Sequence, residues 1–195
     1  MPEEDMKVGV LALQGAFREH REVLDGLGAE AIEVRVSQDL AGCDGLVLPG
    51  GESTVIGKLL VSSGLLEPVG DRIRDGVPTL ATCAGLILLA REVLDRRDGD
   101  VALDVLDVQV RRNAYGSQRQ SFEVPLAVEM LGTSPFPGVF IRAPAILAVG
   151  AGVEVLARHE DRPVLVRSGG VWAATFHPEL SGDLRLHQRF LQEVP

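Results

Sequence analysis

Apolar positions in the first half of the chain alternate between two spacings. Lys7–Leu13 is a short, nearly continuous apolar run, the pattern of a strand buried on both faces of a parallel sheet. Phe17, Val23, Leu24 and Leu27 then fall at helical spacing, with Gly28 where a C-terminal cap belongs. Strands are predicted over Ala29–Val36, over Gly45–Leu48 (stopped by Pro49-Gly50-Gly51) and over Val77–Thr82. Between and after them, helices are predicted from a Ser53 or Thr54 cap to Ser62, over Pro68–Asp75 and over Ala84–Leu94. Alternation of this kind predicts an α/β fold with a mostly parallel sheet flanked by helices in three layers.

The second half changes character. Val105–Val110, Phe122–Val128, Ala145–Val149, Val153–His159, Pro163–Arg167 and Val171–Phe176 read as short strands, several separated by Gly or Pro. They predict an antiparallel extension of the sheet, closed by a helix over Asp183–Glu193. No repeat, low-complexity tract or linker interrupts residues 1–195, so one domain is expected over the whole length.

Composition narrows the class. Hydrophobic residues make up 46% and charged residues 24%, an ordinary globular balance. A formal charge of −9 argues against nucleic acid as a partner and favours solubility. No apolar run reaches the ~18 residues that span a bilayer, so no membrane association is expected. The acidic Met1–Asp5 start lacks the basic-then-apolar order of a signal peptide, and two cysteines make no disulfide framework. A cytoplasmic protein is the expectation.

In open α/β sheets ligands bind beyond the carboxyl ends of the strands. Gln14-Gly15-Ala16, Pro49–Ser53, Cys83-Ala84-Gly85 and His177-Pro178-Glu179 all follow predicted strands. Cys83 lies between a strand and a helix, in Ala81-Thr82-Cys83-Ala84-Gly85, with the compact neighbours that a sharp nucleophile turn needs. A helix N-terminus favours thiolate, the reactive form. Cys43, in Ala41-Gly42-Cys43-Asp44, has no such turn and reads as a buried, inert thiol.

Among the histidines, His20 sits with Arg18, Glu19, Arg21 and Glu22 and is expected in solvent; His159 falls in a turn beside Glu160; His187 is expected exposed or partly packed. His177 precedes Pro178, which disfavours helix and holds the segment extended. Residues i and i+2 then share a face, so Glu179 can orient His177 as a base. A metal site built from His177, Glu179, Asp183 and His187 lacks any HExxH or paired CxxC signature, and no metal or other cofactor is expected. Gly51 to Lys58 superficially resembles a phosphate loop, but five residues separate Gly51 from Gly57 and Leu59 stands where Ser or Thr is required. An oxyanion site made of the Gly51 and Ala84 N–H groups fits the Pro49–Thr54 turn better.

These residues carry a resemblance. The stretches Val10–His20, Leu48–Thr54, Thr82–Ile87, Arg112-Asn113, Ser121–Glu123, Val139–Pro144 and Phe176–Leu180 resemble class I glutamine amidotransferases of the triad type, whose fold is flavodoxin-like. More narrowly they resemble the glutaminase subunits of two-component pyridoxal 5'-phosphate synthases. The resemblance implies hydrolysis of L-glutamine to L-glutamate and ammonia by Cys83, His177 and Glu179. It places Gly51, Glu52, Ser53, Ala84, Arg112, Ile141 and Arg142 at the glutamine site. It also implies that the partner is a barrel-shaped synthase subunit, faced by Gln14. Ala81 departs from the glycine usual in the family, and its methyl is expected to tighten the turn. A related triad hydrolase, such as a γ-glutamyl hydrolase or cysteine peptidase, and a non-catalytic α/β module with an oxidant-sensing Cys83 are the other readings open to these residues.

Overall fold

The computed structural model describes residues 6–114 and 121–195. The acidic Met1–Asp5 segment lies outside the described residues. Seven strands form the main sheet, in the order β10 (Glu154–His159), β11 (Arg162–Ser168), β12 (Val171–Ala174), β4 (Thr79–Thr82), β3 (Gly45–Leu48), β1 (Lys7–Leu11) and β2 (Glu30–Val34). From β12 to β2 every pairing is parallel; β10–β11 and β11–β12 are antiparallel.

Side-chain alternation along the central strands builds two cores. Leu46, Leu48, Ala81 and Ala173 point to one face, where they meet α2 (Ser53–Ser62), α3 (Leu66–Arg74) and α4 (Ala84–Leu89). Val8, Val10, Val47, Leu80, Trp172 and Ala174 point to the other, against Leu24 of α1 (Phe17–Gly26) and Leu186 and Phe190 of α5 (Arg185–Leu191). That face also holds Phe136 and Phe140, from a hairpin of β7 (Ser121–Leu126) and β8 (Phe136–Ile141). Among the described residues no helix is long and apolar enough to cross a membrane.

The predicted strand–helix order of the first half matches the structure closely, and Gly28, at φ 86°, follows the last residues of α1 as expected of a cap. Several expectations need correction. Only β10 and β11 extend the main sheet antiparallel; β5 (Ala90–Val93), β6 (Leu106–Arg111) and β9 (Ala145–Val149) form a separate sheet, as do β7 and β8. The predicted helix over Ala84–Leu94 ends at Leu89, because Ala90–Val93 pairs in parallel with β6 and the ladder overrides helix propensity. Ser53 and Thr54 do not cap α2: Glu52 holds the cap position, and Thr54 Oγ1 instead bonds to Asp100. Strand β8 was not among the predicted strands; it carries Pro137, a residue confined in sheets to positions where no N–H has to donate. In the hairpin Pro137 sits opposite Pro125, where neither imino nitrogen has to donate. The methyl of Ala81 lies in the core opposite Leu48, inside β4, so it is not in the turn that it was expected to tighten.

Candidate active site

The parallel strands β1, β3, β4 and β12 deliver four segments to one edge of the sheet. Cys83 follows β4 directly, at φ 48° and ψ −101°, and leads into α4. A non-glycine residue in this region stores about 1–3 kcal/mol of strain, maintained only because the surroundings over-determine it. Here Cys83 N–H donates to Ala174 O at 2.8 Å, tying the turn to β12. Beyond the turn, Gly85 packs on Leu48 O so closely that a Cβ there would collide with the carbonyl. Gly50, in the turn after β3, faces His177 and Cys83 in the same way: a Cβ would strike the imidazole. The small residues of both motifs thus allow backbone, thiol and ring to meet.

His177 follows β12, and its N–H donates to Val139 O of β8 at 2.8 Å. Its Nδ1 lies 2.7 Å from Glu179 Oε1, and the ring lies within electrostatic reach of the Cys83 sulfur. The Cys83 sulfur lies 3.9 Å from Ile141 O of the same strand. Sequence reasoning paired His177 with Glu179 through an extended backbone. Instead Pro178–Leu180 is a short 3-10 turn with His177 at its cap, and it is the turn that brings the carboxylate under the ring. Burial pushes the His177 ring toward its neutral form, but the hydrogen bonds and charges of Cys83 and Glu179 outweigh it and raise the pKa to about 10. Burial likewise pushes the Glu179 carboxyl up, and the imidazoles of His20 and His177 overcome it, holding the carboxyl well below its usual range.

Behind Glu179 lie two groups that sequence reasoning placed elsewhere. His20 and His187 are both fully buried. His20 Nε2 is 3.2 Å from Glu179 Oε2 and 3.2 Å from Thr82 Oγ1, while its Nδ1 is 3.0 Å from His187 Nε2. The signal was available: His20 stands three residues after Phe17 and four before Leu24, on the apolar stripe of α1, although its sequence neighbours are charged. His159 is partly buried at the end of β10, against Phe122 and Phe140. Among the described residues no group of three or more His, Cys, Asp or Glu is arranged to hold a metal ion.

Burial pushes His187 down to about 3, with His20 adding to the effect and Glu179 opposing it. A linkage follows. Below the ordinary value of 6.5 the unfolded chain protonates His187 and the folded chain does not, so stability falls as pH drops from 6.5 toward 3. His177 acts on the other side: its stabilisation is complete below 6.5 and is lost as pH rises through about 10. Glu179 contributes stability above 4.5 that is lost on further acidification. Stability is therefore expected to peak near pH 6.5. Denaturant melts between pH 6.5 and 5, above the range of carboxylate titration, should show a slope of up to ~1.4 kcal/mol per pH unit. His187→Gln should flatten that limb; an equally steep limb in the variant would mean that His187 is not buried in its neutral form.

A cavity of about 560 Å³ opens above the sulfur, lined in part by Gln14, Gly51, Glu52, Ser53, Arg112, Ile141 and Arg142. Of the predicted site residues outside the triad, Ala84 is buried in the core at the start of α4 and the others line this cavity. Gln14 Oε1 accepts from Glu52 N–H at 2.8 Å, and Ala16 N–H donates to Gly50 O at 3.0 Å, so the segment after β1 braces the glycine turn. Arg112 is held by Asp100 Oδ2 at 2.9 Å, by Thr54 Oγ1 at 3.2 Å and by the Asp95 carbonyl. Arg142 is exposed and only 3.8 Å from Glu52 Oε1. Arg142 and Asn113 line the cavity at φ 43° and 45°, so backbone strain gathers here beyond Cys83. Cys43 is buried before β3, at the opposite end of the sheet; burial pushes its thiol up, and it donates to Asp39 O at 3.2 Å.

Comparison with known proteins bears on this arrangement. The profile of the SNO glutamine amidotransferase family matches residues 10–195. The chain is 53% identical over 188 residues to the pyridoxal 5'-phosphate synthase subunit PdxT of Pelotomaculum thermopropionicum, covering 96% of this chain and 95% of that one. It is 49% identical over 189 residues to the PdxT subunit of Thermotoga neapolitana, covering 97% and 100%. A crystal structure of a glutamine amidotransferase superposes with a TM-score of 0.89 at 52% identity, over 96% of this chain and 98% of that one. The structure of PurLQS from Thermotoga maritima contains the same fold at 17% identity, with a TM-score of 0.69 over 98% of this chain and 100% of the matching one. With a turn-borne cysteine, a carboxylate-held imidazole and a family profile running from β1 to the C-terminus, the chain belongs to the SNO glutamine amidotransferase family.

Proposed function

We propose that the chain is the glutaminase of a pyridoxal 5'-phosphate synthase, hydrolysing L-glutamine to L-glutamate and ammonia through Cys83, His177 and Glu179. The observation that carries this reading is the strained Cys83 turn set against a buried imidazole that a carboxylate holds at 2.7 Å.

In the proposed reaction the Cys83 proton passes to His177, and Sγ attacks the side-chain amide carbon of glutamine. A C–S bond forms and the carbonyl π pair moves onto oxygen, toward the N–H groups of Gly51 and Ala84. The pair returns, the C–N bond breaks, and His177 gives its proton to the departing nitrogen, which leaves as ammonia. Water then attacks the thioester: His177 takes one of its protons, the C–S bond breaks, and the proton returns to sulfur as glutamate leaves. Glu179 holds the ring and balances its charge throughout. Glu52, Ser53 and Ile141 shape the glutamine site. The α-carboxylate of the substrate suits a guanidinium. Arg142, exposed and loosely paired, is the more available cation, and Arg112, engaged by two aspartates, sets the wall beside it.

The reading extends to a single working domain over residues 1–195, to a barrel-shaped synthase subunit that receives the ammonia, and to a cytoplasmic setting, where the two free thiols stay reduced. It is tested by measuring glutamate release from glutamine by the full chain, alone and with a PdxS-type synthase subunit. Low release alone and at least a ~10-fold rise in the presence of that partner are expected. No release under either condition would refute the glutaminase reading, and equal release would refute the partnership.

A further inference from the structure

We propose that His20 is a positioning residue of the triad, its Nε2–H set against Glu179 Oε2 at close range while His187 fixes the tautomer that puts the proton there. The inference rests on the reading of Cys83, His177 and Glu179 as the glutaminase triad.

The protons can be placed by elimination. An ionised carboxylate only accepts, so the two rings that face Glu179 must each present an N–H: His177 through Nδ1 to Oε1, and His20 through Nε2 to Oε2. The second contact is a close approach of 3.2 Å without hydrogen-bond alignment: the hydrogen bond of His20 Nε2 goes to Thr82 Oγ1, and Oε2 has no hydrogen-bond partner of its own. His20 Nδ1 then faces His187 Nε2 at 3.0 Å. His187 Nδ1 is buried without a hydrogen-bond partner. If His187 donates from Nε2, only a lone pair is orphaned at Nδ1; the opposite tautomer would bury an unpartnered N–H, the costlier defect. His187 therefore donates, His20 accepts at Nδ1, and His20 Nε2 carries its proton toward Glu179.

This matters for catalysis because a buried carboxylate hydrogen-bonded through one oxygen can turn or take up a proton unless positive N–H density faces the other oxygen. The groups that face Glu179 are His177 from its own segment and His20 from α1. Cys83 lies beyond His177, and His187 of α5 lies beyond His20. Helix α1 also carries, at its start, the Ala16 N–H bond to the glycine turn, and His20 N–H reaches back to Ala16 O at 3.4 Å. One helix thus braces both the carboxylate and the turn proposed to bind the oxyanion.

The test compares His20→Phe, which keeps a ring and removes the donor, with His20→Gln, which keeps a terminal N–H. Both are assayed as the full chain for kcat and KM from pH 5 to 9. His20→Phe is expected to lower kcat by about tenfold or more with KM changed less than ~2-fold. His20→Gln should restore most of kcat. An unchanged kcat in His20→Phe, or an equal loss in both variants, overturns the proposal. Nitrogen NMR of wild-type imidazoles gives a reading without mutation: a protonated His20 Nε2 is expected, and an unprotonated one overturns the proposal even if neither variant folds. Wild-type glutamate release, measured first, separates failure of this inference from failure of the glutaminase reading.

Discussion

Cys83→Ala is expected to lower glutamate release from glutamine by about 10³-fold or more while leaving glutamine binding within a few-fold of wild type. Deleting the nucleophile of a triad removes the covalent route and leaves only what binding and oxyanion contacts give to direct attack by water. The other thiol cannot substitute. Cys43 lies at the far end of the sheet, is 2% exposed, and has a thiol pushed up by burial, so it is neither placed nor ionised for attack. The fold should survive, because alanine keeps the backbone and gives up only the sulfur contacts. Glycine at the same position sharpens the reading. In most sites Gly is less stable than Ala by ~0.5–1 kcal/mol, but at φ 48° and ψ −101° the order should reverse, since glycine has no Cβ to strain. Calorimetry that finds Cys83→Gly at least as stable as Cys83→Ala, with both inactive, would show that the turn is strained in the service of the thiol. Wild-type release by Cys83→Ala would sink the catalytic assignment.

How much of this site is legible in the sequence depends on what kind of signal each residue leaves. Strand ends followed by glycine or a compact turn are local patterns, and they locate Cys83, the Gly50-Gly51 turn and His177 without any knowledge of the fold. The sheet core is legible for the same reason: β3 and β9 have their predicted bounds because their apolar runs are short and cleanly stopped. What fails is anything decided by a partner distant in the chain. Ala84–Leu94 has a helical composition, yet its second half pairs with β6. Phe136–Ile141 was not among the predicted strands, yet it supplies Val139 O to His177 and Ile141 O beside Cys83. His20 sits among charges in the sequence and is fully buried in the fold. Its place on the apolar stripe of α1 was the better guide, because burial on a helix follows the face and not the neighbours.

The pairing of His177 with Glu179 was read correctly for an incorrect reason, and the difference bears on the largest remaining effect. Glu179→Gln is expected to lower kcat by about 10²–10⁴-fold with little change in KM. The carboxylate accepts from His177 Nδ1 at 2.7 Å through Oε1, and the edge of His20 that carries Nε2 stands 3.2 Å from Oε2. A carboxamide of the same shape accepts on one side and donates on the other. If its oxygen faces His177, its NH₂ opposes the His20 N–H. If it is flipped, it opposes His177 and drives that ring to the wrong tautomer. In either case the imidazolium loses its counter-charge, and His177, held at about 10 in the wild type, should titrate lower. The alkaline limb of kcat/KM should therefore move to lower pH. The alkaline fall in stability should flatten too, because a folded value nearer 6.5 removes the difference in bound protons that causes it. Overall stability should change little, since the variant also removes the cost of burying a charge. Turnover equal to wild type would exclude Glu179 as the orienting group, and an unmoved alkaline limb would show that its charge does not set the protonation of His177.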